Sequence, residues 1–341
     1  MPNALFICGS LNQTRIMHSI STQLAEVDCY FTPFYADGIV GLVSRLGWLD
    51  FSILGGQHRR STQKYLIDQG LRMDYEGKSR SYDLVFTCTD LIIQRNILKS
   101  RLILVQEGIT DPETWLYRLV RYLKLPRYLA NTAATGLSDA YDLFCVASPG
   151  YRDLFIRKGV RREKIAVTGI PNFDDVNSYR NNPFPYSGYV LVTTTSLRET
   201  LKPDDRMGFL RKTRQLADGK PVIFKLHPNE NFERAEREIR RIFPDAPIFR
   251  DGNTAHMVAN CDLLVTQHST VSLLGAALGK PVITDLDAGT LKRLAPIQNG
   301  GSSARRIAYL GRQLLQMPLV ELRSAKGRRA IRRKLRLLDA V

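Results

Sequence analysis

The sequence predicts an α/β protein built on two parallel sheets, and three observations lead there. Nine short runs are rich in Val, Ile, Leu and Phe and apolar on both faces, the mark of buried parallel strands. Amphipathic, helix-like stretches separate several of them, which argues for parallel strands with helical crossovers. The same rhythm continues on both sides of a stretch rich in Asn, Pro, Ser and Gly, 177–188, reading NSYRNNPFPYSG. At roughly 150 residues per domain, a chain of 341 residues gives about two domains.

In chain order the predicted strands are Ala4–Cys8, Leu84–Cys88, Leu102–Val105, Leu143–Ala147, Ile165–Thr168, Tyr189–Thr193, Val222–Leu226, Leu263–Thr266 and Val282–Thr284. Three helices carry their own punctuation. Arg152–Lys158 runs into Gly159, a natural C′ residue. Phe232–Ile242 places Glu and Arg four apart and stops before Pro244. Thr270–Leu278 stops at Gly279, with Pro281 beyond. The predicted domains are 1–176 and 189–315, joined by the 177–188 linker and followed by a basic tail, 316–341.

Composition narrows the function classes. Hydrophobic residues make up 44% and charged residues 24%, as in folded proteins and unlike disordered or collagenous chains. Formal net charge is +16, which favours anionic partners: nucleic acid, anionic headgroups or phosphorylated substrates. No apolar run has the roughly 18 residues of a membrane span, and the N-terminus lacks the features of a secretory signal. The five cysteines, Cys8, Cys29, Cys88, Cys145 and Cys261, form no CxxC pair and read as reduced thiols, with no zinc spacing. These features predict a cytoplasmic protein.

Two basic stretches stand out. Within the tail, the stretch Arg323–Arg336 carries Arg323, Lys326, Arg328, Arg329, Arg332, Arg333, Lys334 and Arg336 without an acid. Trp115–Leu129 interleaves Arg118, Arg121, Lys124 and Arg127 with Trp115, Leu119, Tyr122 and Leu123. That composition suits an interfacial helix on an anionic membrane at the inner face of the cell, and equally a solvated helix over the domain's own core. The tail also suits nucleic acid by charge, but no nucleic-acid motif accompanies it.

Four strand ends carry the chemistry. After Leu263–Thr266 comes Gln267–His268–Ser269–Thr270, with Ser269 as the predicted N-cap of the next helix. Hydroxyls and an imidazole at a helix start suit phosphate oxygens, though an ordinary capped helix reads the same way. Val222–Leu226 delivers Lys225 and then His227–Pro228 to its carboxyl end, where open α/β sheets bind ligands. There an imidazole can hydrogen-bond or protonate a leaving phosphate, or serve structure alone. Leu102–Val105 ends at Gln106–Glu107–Gly108. The acid suits a general base for an acceptor hydroxyl, or a cap or ion pair. Asp90 follows the preceding strand and is a further candidate acid. Cys8–Arg15, CGSLNQTR, follows the first strand and offers Gly9, Ser10 and Arg15 to an acceptor, without GxGxxG or a P-loop. Thr194, after the first strand of the second domain, is a further nucleotide candidate.

KLHP at Lys225–Pro228 and HSTVSLLGAALGKPVI at His268–Ile283 resemble the nucleotide domain of GT-B glycosyltransferases. The resemblance is to bacterial surface-polysaccharide enzymes: sialyltransferases with a His-Pro motif, capsule Kdo transferases and CDP-glycerol glycerophosphotransferases. In such sialyltransferases an acidic-acidic-Gly motif pairs with His-Pro and a Ser/Thr pair. The counterparts here are Gln106–Glu107–Gly108, His227–Pro228 and Ser269–Thr270, with Gln106 departing from the first acid. The resemblance implies that Glu107 is the acceptor base and that His227, Ser269 and Thr270 hold the nucleotide phosphate. Asp139–Asp175 is also similar in layout to non-hydrolysing UDP-GlcNAc 2-epimerases, where Asp90 and Glu107 fall at catalytic acids. Two departures speak against that activity. No PEE-type glutamate stands near Leu129–Asn131, and Thr193–Thr200 reads TTTSLRET in place of a THRREN histidine.

These readings together imply a GT-B fold, two Rossmann-like domains with an interdomain cleft. They imply a metal-independent glycosyltransferase, with no cofactor beyond a CMP-, CDP- or UDP-linked donor and with a glycan or lipid-linked acceptor. The alternatives are an epimerase-like enzyme and a non-catalytic nucleotide-sugar or nucleic-acid-binding protein.

Overall fold

The computed structural model describes residues 1–46, 56–200, 202–324, 327 and 330. The chain divides into two compact units. The first is Met1–Asp174 with Asn299–Val341, and the second is Asp175–Gln298.

The first unit begins with β1 (Asn3–Ile7), α1 (Leu11–Ser21), β2 (Asp28–Thr32), α2 (Gly38–Arg45) and α3 (Gly56–Asp68). It continues with β3 (Leu84–Thr87), β4 (Arg101–Val105), α4 (Trp115–Tyr122), β5 (Leu143–Val146), α5 (Pro149–Lys158) and β6 (Ile165–Val167). The six strands form one sheet, in the order β2-β1-β3-β4-β5-β6, and every pairing is parallel. β1, β3, β4 and β5 are buried almost throughout, as uniformly apolar runs require of central parallel strands. α5 stops where its glycine allows, with Gly159 at φ 105.

The second unit comprises β7 (Val190–Thr193), α6 (Arg206–Ala217), β8 (Val222–Lys225), α7 (Phe232–Arg240) and β9 (Ile248–Phe249). It ends with α8 (Thr254–Asn260), β10 (Leu263–Thr266), α9 (Val271–Ala277), β11 (Val282–Ile283) and α10 (Ala288–Leu294). Its sheet has the order β11-β10-β7-β8-β9, again parallel at every pairing.

The nine apolar runs are all strands. β2 and β9 are additions. Both lie at a sheet edge, and β2 is buried at two of its five positions only, so it lacks the continuous apolar signal.

The domain limits differ from those expected. The second unit closes at Gln298, and α11 (Ser303–Leu315) and α12 (Leu319–Leu322) return to the first. α11 packs Ala304, Ile307, Ala308, Leu310 and Leu314 into the first unit's core. Gly311 makes that approach possible, because a Cβ there would meet Leu84 Cδ2 and Phe86 Cζ at 3.0 Å. Arg101 of β4 donates to the carbonyl of Leu314 (2.8 Å) in the helix's last turn and to that of Met317 (2.7 Å) just beyond it. Part of the expected linker packs into the second unit: Asn182 and Asn260 exchange side-chain hydrogen bonds, and Phe184 meets Tyr189 edge to face.

Two further expectations change. The Trp115–Leu129 stretch is not one helix. α4 ends at Tyr122, Lys124 takes φ +54, and a 3-10 segment, Arg127–Ala134, follows Pro126. Of the basic tail, Arg323 turns inward onto Asp142 and the carbonyls of Leu98 and Ser100. Lys326, Arg328, Arg329, Arg332, Arg333, Lys334 and Arg336 lie outside the described residues. All five cysteines are free thiols, and burial pushes Cys8 and Cys145 up to about 12. Among the described residues no helix is long and apolar enough to cross a membrane.

Candidate functional site

Each unit gathers polar residues where its strands end. In the first unit the loop after β1 meets the loop after β4. Ser10 is the N-cap of α1, its Oγ accepting from the Gln13 N–H, and this first turn aims three side chains at one carboxylate. Glu107 Oε1 accepts from Ser10 Oγ (3.0 Å) and Asn12 Nδ2 (3.0 Å), and Oε2 accepts from Gln13 Nε2 (2.6 Å). The donors are neutral, so they orient the carboxylate without pairing its charge. Asn172 donates to Asn12 Oδ1 and steadies that amide. The carboxylate is felt nearby: burial first and then Glu107 push the Cys88 thiol and the Tyr35 phenol up. Burial lowers His58, with Glu107 opposing.

Of the residues expected here, the structure brings Ser10 onto Glu107. Gly9 lies beneath Gln13, since a Cβ would stand 2.5 Å from Gln13 Oε1 and 3.3 Å from Tyr35. Arg15 is exposed on α1. Asn12 and Gln13 were not singled out. Their signal was present in the NQ that follows a helix-capping serine.

Asp90 does different work from that expected of a catalytic acid. It is fully buried, and its two carboxylate oxygens accept the backbone N–H groups of Gly136 and Ser138, each at 2.9 Å. Burial raises its pKa, and those hydrogen bonds oppose the rise. Both oxygens hold a loop.

In the second unit three adjacent strands, β10, β7 and β8, end side by side, and their loops are tied together. His227 donates its backbone N–H to Thr194 Oγ1 (3.2 Å) and Glu230 Oε2 (3.1 Å), and Thr194 Oγ1 donates to the same Glu230 oxygen. Glu230 Oε1 pairs with Arg206 Nη2, at the start of α6. Arg206 Nε lies 3.5 Å from Asp204 Oδ2, which also pairs with Arg198 at 3.0 Å. Gln267 closes the chain, donating to Asp204 Oδ1 (3.4 Å) and accepting from Thr195 Oγ1 (2.6 Å). Arg206 is 3% exposed and its Nη1 has no partner. The imidazole of His227 is set by its own turn. Nδ1 accepts the Asn229 N–H at 3.1 Å, so the neutral ring carries its proton on Nε2.

Lys225 differs from expectation. Its Nζ donates to the carbonyls of Leu226 (2.9 Å) and Arg250 (2.8 Å), and burial lowers its pKa. The ammonium fastens the β8 end to the loop after β9. Pro228 opens the turn that carries the imidazole. His268, Ser269 and Thr270 are half-buried after β10. α9 starts one residue later than expected, at Val271. Thr270 is itself helical at the N-cap position, and Ser269 Oγ accepts from the Val271 N–H at 3.3 Å. Glu230, Arg206, Asp204, Thr195 and Gln267 were not singled out as site residues. An acid three residues after His227, in HPNE, was the one local hint. Among the described residues no three His, Cys, Asp or Glu side chains form a metal-holding group.

No protein-family model and no curated protein sequence matches the chain. Solved structures do. UDP-GlcNAc 2-epimerase from Neisseria meningitidis, bound to UDP-GlcNAc, aligns over 92% of this chain and 100% of its own, at 13% identity and TM-score 0.56. S. aureus MnaA, in a co-structure with UDP, aligns over 92% and 90%, at 14% identity and TM-score 0.53. A variant of the wall teichoic acid polymerase TagF soaked with CDPG aligns over 92% and 89%, at 12% identity and TM-score 0.50. Identity this low carries the fold alone. With the two parallel sheets described above, it establishes that the chain has a GT-B-like fold of two Rossmann-like α/β domains.

Proposed function

We propose that the chain is a transferase. Its second unit holds a pyrimidine-nucleotide donor, and a sugar or sugar-phosphate-like group passes from it to the hydroxyl of a glycan or lipid-linked acceptor. One observation carries the reading: the hydrogen-bonded chain from Thr194 through Glu230, Arg206, Asp204 and Gln267 to Thr195 across three strand ends. It sits where open α/β sheets take ligands. It fixes an imidazole with its proton on Nε2 and leaves one buried guanidinium nitrogen unpaired.

In this reading the His227 Nε2–H donates to a phosphate oxygen of the donor. As the bond to the transferred group breaks, negative charge grows on the leaving phosphate. A donor already oriented stabilises that charge more in the transition state than in the ground state. Arg206 Nη1, His268, Ser269 and Thr270 add donors around the same group, so the charge is met without a metal or cofactor. Glu107 takes the acceptor's proton, its carboxylate held in one orientation by Ser10, Asn12 and Gln13. UDP, UDP-GlcNAc and CDPG, named with the similar structures, support a pyrimidine nucleotide here.

The test is thermal unfolding with CMP, CDP, UDP, GDP and ADP, on wild type and His227→Ala. Ligand at about 100 times its Kd adds roughly 2.7 kcal/mol. For units of this size that is a rise of roughly 5–10 °C. A rise with one pyrimidine nucleotide that His227→Ala loses supports the reading. No rise with any nucleotide sinks it. A rise with UDP together with turnover of UDP-GlcNAc in the absence of acceptor replaces transfer by epimerisation.

A further inference from the structure

The α4 region carries a surface and a cavity that the nucleotide reading leaves unused. Trp115, Arg118, Leu119 and Tyr122 stand at i, i+3, i+4 and i+7, one stripe of the helix. That stripe faces outward, with Trp115 75% and Tyr122 84% exposed. The opposite side packs Tyr117 and Val120 on Ala130, Ala133 and Ala134. The helix therefore buries one apolar face and presents a second, aromatic one.

Beside it is a cavity of about 240 Å³ lined by Tyr117, Val120, Arg121, Lys124, Leu125 and Arg127, among others. Tyr117 is 2% exposed; burial raises its phenol, and Arg121, on the same cavity wall, opposes the rise. The backbone adds a separate sign. α4 ends with Leu125 N–H donating to Val120 O (3.0 Å) and Lys124 in the left-handed region at φ +54. Glycine is the usual residue there. A lysine in that conformation is strained, and strain of this kind collects at functional sites. Here it sets an ammonium on the cavity wall. From Trp115 to Ala134 the chain has no acidic residue.

We infer that α4 and this cavity form a docking site for an anionic bilayer, with one phospholipid phosphate in the cavity and Trp115 and Tyr122 at the headgroup level. Arginine and lysine supply the charge-assisted donors a phosphate takes. Trp and Tyr are the residues whose rings settle at that depth. The site is independent of the donor site, so either reading can fail alone.

The experiment is co-sedimentation of the full chain with phosphatidylcholine vesicles, with and without about one part in three phosphatidylglycerol. The basic tail is common to every variant, so differences between variants report on α4. Wild type is expected to sediment with the anionic vesicles only. Arg121→Ser and Lys124→Gly should each weaken binding roughly fivefold. Lys124→Gly should do so while holding or raising Tm, because it relieves the backbone. Tyr117→Phe should weaken binding with Tm unchanged, and Trp115→Ser with Tyr122→Ser should abolish it. Equal sedimentation with both vesicle types, or variants that bind as wild type does, overturns the proposal. So does a Tm rise with inorganic phosphate that Arg121→Ser removes, if no vesicle binding accompanies it. Displacement by a polynucleotide, with the aromatic variants unaffected, would make this a nucleic-acid face instead.

Discussion

The carboxyl edges of the two sheets solve a similar problem by different means. In the first unit a single carboxylate, Glu107, is held by three neutral donors from one helix start. In the second, Glu230 and Asp204 interlock with Arg206 and Arg198 behind the His227 turn. Neutral donors orient a charge and leave it available to a proton. A buried ion chain compensates its own charges and ties local geometry to folding. The first edge is therefore built so that one side chain can change without unfolding anything, whereas the second is not.

The largest effects test the division of labour. Glu107→Gln keeps the shape and the nucleotide-induced Tm rise but should lower turnover by about 10²–10⁴, the usual reach of general-base catalysis. His227→Ala should lose both the rise and roughly 10²–10³ in turnover, as removal of an oriented donor does. Titrating each variant with nucleotide and measuring its turnover separates them. If Glu107→Gln also lost the nucleotide, the two edges would not be independent.

Next in size is stability. Glu230→Gln leaves the Arg206 guanidinium buried without its carboxylate, which should cost about 3–5 kcal/mol. Arg206→Met alone should cost a similar amount. The double variant, with the charges removed together, should lose less than the sum, and denaturant unfolding of the four proteins measures the coupling. Additive losses would mean that the chain is a set of separate contacts.

Asp90→Asn comes third and guards the first edge. An amide can accept one of the two backbone N–H groups but sets its own NH₂ against the other, at about 1–3 kcal/mol. Turnover per folded molecule should stay near wild type. A fall as deep as that of Glu107→Gln would return Asp90 to the catalytic set.

How much of this was legible follows from range along the chain. Strands buried on both faces announce themselves through uniformly apolar runs. β2 does not, because three of its five residues are half-exposed at an edge. α11 reads as an amphipathic helix, but nothing local says which sheet its Ala304, Ala308 and Gly311 face will meet. Glu107 and His227 are visible because each ends an obvious strand. Their supports are not: Gln13 lies 94 residues from Glu107, and Arg206 lies 24 from Glu230. A hydrogen bond between distant residues leaves no periodic trace. Lys225 and Asp90 show the converse. They sit in the right sequence positions, yet backbone groups brought in by the fold claim them.

The smallest expected effect is also the most discriminating for the first edge. Gln13 is buried, its Nε2 donates to Glu107, and its Oε1 has no partner. An orphaned buried carbonyl works against stability. Gln13→Met has nearly the same volume and removes the orphan along with the donor, so the folded state should change by less than about 1 kcal/mol. The change should fall on catalysis, because the Glu107 carboxylate then keeps two donors of three and gains freedom to turn. Turnover should drop by about tenfold, with the nucleotide-induced Tm rise intact. Gly9→Ala reaches the same amide from below, since its methyl would displace Gln13 Oε1, and it should give a weaker version of the same result. If both variants kept full turnover, the amide would be packing rather than aim, and Ser10 and Asn12 alone would orient the acid.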